Sequence, residues 1–163
     1  MPSTHADVAA VPRPPGPPPP PPGLDPALAD RSVAELEGLA IEKGAFGIGS
    51  VAWLSRALVS PLRDLGPAEL RLLLAHGRGL RWILPLALAR LEQEPFVRAE
   101  RQAGDLLSAV LMVDEGVWAS APAWSARLAR VLHDARTVTH VLPASDRVHV
   151  EDELQAAREA FGF

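Results

Sequence analysis

The chain has 163 residues, no cysteine and a net charge of −4, with 20 acidic side chains against 16 basic ones. That length suits one ordinary domain, and the missing cysteines exclude a disulfide framework, thiolate zinc sites and thiol nucleophiles together. A mildly acidic balance lacks the basic footprint that nucleic-acid binding needs, so the complementary partner is a basic protein surface and no nucleic acid is expected.

Eleven of the 17 prolines fall in the first 26 residues, including an unbroken run from Pro17 to Pro22. Such a run adopts polyproline II, has no internal hydrogen bonds and buries too little apolar area to fold. Residues 1–27 are therefore expected to be a disordered proline-rich tail, and residues 28–163 a helical domain. Met1 to Val11 carries no cationic segment followed by an apolar core, so no secretory signal is expected. No stretch reaches the roughly 18 apolar residues of a membrane span. These features together point to a soluble protein of the cytoplasm.

From Asp30 onward the punctuation is helical. Asp30 or Ser32 caps a first helix, and Ser32 with Glu35 has capping-box spacing. Gly44, Gly47 and Gly49 open a loop, after which Ser50 is the expected N-cap of a helix carrying Val51, Trp53, Leu54 and Leu58 and ending before Pro61. Gly66-Pro67 starts the next, with Leu70, Leu73 and Leu74 at helical spacing and Gly77 and Gly79 as stop signals. Leu80, Ile83, Leu84, Ala87, Leu88 and Leu91 then form the i, i+3, i+4, i+7 stripe of a buried central helix. Pro85 fits this stripe only if the helix begins near Arg81, which puts the proline around the first turn.

Pro95 ends that helix. Gly104-Asp105 opens another, with Asp105 placed to cap its N-terminus and Leu106, Leu107, Val110 and Leu111 facing inward. A turn from Asp114 to Trp118 leads to Ala121-Pro122 and a stripe of Trp124, Leu128, Val131 and Leu132. Residues 137–149 are ambiguous: Thr137 to Val141 is β-branched enough for a strand, but a single strand has no partner. Val150, Leu154, Ala157 and Phe161 mark a last amphipathic helix. The fold class is all-α, an irregular bundle of six or seven short helices.

No pattern in the chain carries chemistry. His133-Asp134, His140 and His149 lack the spacing of a zinc site. The carboxylate groups Glu35/Glu37, Glu92/Glu94 and Glu151 to Glu153 are neighbours along the chain, whereas acid–base catalysis needs carboxyls converging from different segments. There is no GxSxG serine elbow. Gly47-Ile48-Gly49-Ser50 lacks the rest of a phosphate loop, since Lys43 precedes the glycines. Arg63, Arg71, Arg78, Arg81 and Arg90 are interspersed with Asp64, Glu69 and Glu92 and read as a solvated mixed-charge face. No metal, cofactor or small-molecule substrate is expected, and the chain reads as a binding protein, not an enzyme.

The segment from Pro61 to Leu132 resembles contact-dependent growth inhibition (CDI) immunity proteins. The resemblance is carried by Pro61-Leu62-Arg63-Asp64-Leu65, Glu69-Leu70-Arg71-Leu72-Leu73-Leu74, the Gly77-x-Gly79-Leu80 turn and Leu84-Pro85-Leu86-Ala87-Leu88-x-x-Leu91. Gly104-Asp105-Leu106-Leu107-x-x-Val110-Leu111 and Trp118 continue it. The resemblance implies a cytoplasmic protein that binds and neutralises a cognate toxin domain, commonly a nuclease, delivered by a neighbouring cell. The motif residues Leu84, Pro85, Gly104, Asp105, Leu106 and Leu107 look structural. Contacts to a basic toxin are therefore expected at exposed acids: Glu35, Glu37, Glu42, Glu92 and Glu94. Two other readings remain open. One is a helical adaptor recruiting a partner through the polyproline tail. The other is a small hydrolase, which a pocket of converging carboxylates or histidines would favour.

Overall fold

The computed structural model describes residues 23–41 and 49–161. Among the described residues the chain is all-helical and forms no strand: α1 Val33–Glu37, α2 Ser50–Val59, α3 Pro67–Ala75, α4 Leu80–Gln93, α5 Asp105–Leu111, α6 Glu115–Ser120, α7 Pro122–Val138 and α8 Ala144–Phe161. Three 3-10 turns, Pro26–Leu28, Leu62–Asp64 and Thr139–Val141, punctuate them. The irregular helical bundle read from the apolar spacing is the fold of this chain.

Local chemistry explains each start. Ser32 makes the capping box: its hydroxyl accepts the Glu35 N–H at 3.3 Å, and Glu35 Oε2 accepts the Ser32 N–H at 3.0 Å. Gly66 and Glu69 repeat half of that device at α3, where Glu69 Oε2 accepts the Gly66 N–H at 3.1 Å and Pro67 fills the first helical position. At α2 the N-cap is Gly49 and not Ser50. Lys43, Gly44 and Gly47 lie outside the described residues, as does the Pro17 to Pro22 run.

The structure refines several local readings. Helix α4 starts at Leu80, so Pro85 sits inside it, in its second turn. The Arg81 carbonyl loses the N–H it would receive four residues on. Asp114 to Trp118 is not a plain turn but the approach to α6: Asp114 accepts the Gly116 N–H at 2.8 Å and the buried Trp118 donates its indole N–H to Val113 O at 3.2 Å. The β-branched stretch is helical. There α7 runs to Val138, and Thr139, buried, turns its hydroxyl back onto Ala135 O at 2.9 Å, the local bond that lets threonine live in a helix end. Helix α8 then begins at Ala144, a turn and a half ahead of Val150. Packing also reaches N-terminal of residue 28, because Leu24 joins the core and Asp25 caps the first 3-10 turn through the Ala27 N–H at 2.9 Å.

The core is centred on α4, whose Ile83, Leu84, Leu86, Ala87, Leu88, Ala89 and Leu91 are all buried. It packs against α3, α5 and α7 through Leu70, Leu73, Leu106, Leu107, Val110, Leu128, Val131 and Leu132. Each fully buried leucine contributes about 2–3 kcal/mol of transfer free energy, so this helix dominates the stability of the domain. The α3–α4 turn depends on Gly79: its φ is +60°, and a Cβ there would lie 2.9 Å from Val33 Cγ1. Helix α8 attaches by Val150, Leu154 and Ala157 and seats Val150 over Gly104, where a Cβ would come within 3.2 Å of Val150 Cγ2.

Candidate functional site

The acids expected to meet a basic partner have other work in the fold. Glu35 holds the α1 capping box and pairs with Arg31 at 3.3 Å. Glu37 accepts the Gly79 N–H at 2.7 Å and faces Arg78 at 3.9 Å, tying the end of α1 to the α3–α4 turn. Glu92 forms a two-pronged ion pair with Arg127, 2.7 and 2.8 Å, which clamps α4 to α7. The Arg127 hydrogen bond holds the Glu92 carboxyl below the usual carboxylate range against the opposing effect of burial, with the charges of Arg127 and Arg130 adding to it. Glu94, at the C-cap of α4, is exposed. Glu42 lies outside the described residues. Glu37 touches the N-terminal end of α4 and Glu92 sits on its last turn, about 20 Å apart along the axis. Of the described acids, Glu37 and Glu92 thus stand at opposite ends of α4.

The arginine face is likewise engaged. Arg63 pairs with Asp30 and Arg71 with Glu100 at 2.9 Å, while Arg81 stacks over the Trp82 ring at 4.9 Å. Arg90 is exposed.

Asp105 takes a different role from the one its position suggests. Gly104, at φ +84°, is the N-cap of α5, and Asp105 is the first helical residue. Its buried carboxylate turns away from the helix and gathers the preceding loop, accepting the N–H groups of Ala99, Glu100 and Arg101 at 2.6, 2.9 and 2.8 Å. Burial pushes this carboxyl up, but the loop N–H bonds outweigh it and hold it below the usual aspartate value. Three charge-assisted bonds from consecutive amides fix a loop that has no helix or strand of its own.

That loop forms one end of a groove between α5 and α8. The groove has a volume of about 380 Å³ where Arg71, Leu74, Arg101, Asp105, Met112 and Glu153 line it. It continues as about 260 Å³ along Leu111, Ala156, Ala157 and Ala160. Ser108 donates to Glu153, whose other oxygen lies 3.1 Å from His149 Nε2. Arg98 pairs with Asp146 at 3.5 Å and holds the start of α8 in place. Met112, at the C-cap of α5, is 86% exposed.

The groove brings a serine, a carboxylate and a histidine together, the convergence that a hydrolase would require. Their order works against that chemistry. The carboxylate stands between Ser108 and His149, so the histidine does not touch the serine as it does in a serine–histidine–acid triad. Asp105 is saturated by backbone N–H groups. Among the described residues no set of three or more His, Asp or Glu is arranged to hold a metal ion, and no helix is long and apolar enough to cross a membrane.

Sequence reasoning missed this groove. The His149/Glu153 spacing on α8 was visible, but nothing in the chain indicated that Ser108 and Arg101 would face it from across the fold. A second exposed feature lies on α2, where Trp53 is 62% exposed and carries Arg56 over its ring at 5.7 Å.

A family model described as CDI immunity proteins matches residues 40–128, from the residues before α2 to the middle of α7. No curated protein and no solved structure matches the chain.

Proposed function

The chain belongs to the CDI immunity proteins, and from that premise we propose that it binds a cognate toxin domain in the cytoplasm and neutralises it as a non-enzymatic inhibitor. The family membership carries this reading. Two structural features are in keeping with it: an all-helical scaffold and an exposed groove between α5 and α8.

The net charge of −4 favours a toxin with a basic surface, such as a nuclease that holds phosphates. Protection at low copy number calls for nanomolar binding, about −12 kcal/mol, which an interface of about 1,600 Å² supplies.

The test is co-expression with the toxin domain encoded beside this gene, scoring growth and isolating the complex. Growth rescue with a stable one-to-one complex is expected. No rescue and no complex, with both proteins folded, overturns the proposal.

A further inference from the structure

We propose that the α5–α8 groove receives the toxin, and that its occupant is a toxin segment presenting an apolar side chain to Met112 and a carboxylate to Arg101. This deepens the immunity reading and rests on it.

The argument is what the groove leaves unmatched. Arg71 is already committed to Glu100 at 2.9 Å, with Asp105 at 4.0 Å behind it. Both oxygens of Glu153 are taken, one by Ser108 and one by His149. The Arg101 side chain is exposed and meets no carboxylate among the described residues. Met112, at the C-cap of α5, stands 86% exposed and lines the groove with Ala156, Ala157 and Ala160. The open demand is thus one negative charge at the loop end of the groove and one apolar group at the C-cap of α5.

The groove is also prepared for a partner. Asp105 fixes the backbone of Arg101, so a contact to that residue does not have to order the loop. Methionine adapts its shape to the group that covers it, and the alanines allow close approach. One wall, α5, lies inside the family-matched residues 40–128, and the other, α8, lies outside them. The acidic net charge steers encounter from a distance, while this short-range contact has the opposite sign.

The experiment measures binding of the purified toxin domain encoded beside this gene to the full chain and to M112E, R101E and W53A. Met112 and Arg101 are exposed, so both variants are expected to melt as wild type does. M112E and R101E are each expected to raise Kd by at least about tenfold, with W53A within about twofold. Groove variants that bind like wild type, beside a tight wild-type complex, overturn the groove and leave the immunity reading standing. Loss confined to W53A moves the interface to α2 and also overturns it. A wild-type chain that binds no toxin domain overturns both readings.

Discussion

The carboxylate of Glu37 accepts the backbone N–H of Gly79 at 2.7 Å, joining residues 42 apart in the sequence. The same glycine stands against Val33 of α1 with a positive φ. One turn therefore satisfies a donor, admits the chain reversal into α4 and buries α1. An alanine there meets both the left-handed backbone cost and the contact with Val33, so G79A is expected to destabilise the domain by about 2–4 kcal/mol. E37Q, which keeps an acceptor, is expected to cost about 1 kcal/mol or less. Denaturant unfolding of both variants checks the pair; equal losses would contradict this account of the turn.

Asp105 makes stability depend on acid. Its folded carboxyl ionises below the usual value, so its contribution is fully present above the unfolded value of about 3.9 and is lost as pH falls through the folded one. D105N removes the charge and is expected to flatten the acid limb of the stability profile. D105A leaves the Ala99, Glu100 and Arg101 N–H groups without their acceptor and is expected to cost about 3 kcal/mol near neutral pH. Thermal melting across pH 2–7, a range of about five units around that value, follows both.

The Glu92–Arg127 pair is two-pronged and only partly exposed, with side chains 34% and 20% accessible. Geometry of that quality belongs at the upper end for ion pairs near a surface. A double-mutant cycle of E92A and R127A is expected to show coupling of about 1 kcal/mol that shrinks in high salt. Coupling near zero would show that α4 and α7 are held by their apolar seam alone.

Charge reversal of the acids separates steering from structure. A Glu35, Glu37 and Glu92 triple change to Lys is expected to lower the melting temperature along with toxin binding, since each residue holds an internal contact. E94K alters charge at an exposed cap and is expected to melt as wild type does while slowing association at low salt. Stopped-flow association beside a melting curve distinguishes the two. Unchanged association for E94K removes that residue from the encounter.

Much of the fold was legible. The α4 stripe, the capping box at Ser32 and the Gly66-Pro67 start are local signals, and each stands where the spacing put it. Pro85 was harder, because the apolar stripe runs through it on both sides and the helix continues past the one bond that the Arg81 carbonyl loses. Thr137 to Val141 was ambiguous for a different reason: β-branching is a weak preference that packing of Val138 and a hydroxyl-to-carbonyl bond at Thr139 override. The groove was not legible, because it is made by α5 and α8 meeting across a separation that no local pattern records. The internal contacts of the acids were hidden for the same reason. A glutamate that caps a helix and one that faces a partner look alike until its neighbours are known.

The loop gathered by Asp105 has a further consequence for its motions. Three successive amides without a helix or strand around them would ordinarily trade their hydrogens with water almost freely. Here all three are held by the two oxygens of one carboxylate, Ala99 by Oδ1 and the other two by Oδ2, so a swing of that side chain releases them together. Ala99, Glu100 and Arg101 should therefore exchange as a single unit, on one clock set by the seating of α5. An irregular stretch of chain thereby acquires the cooperativity of a helical turn from one side chain.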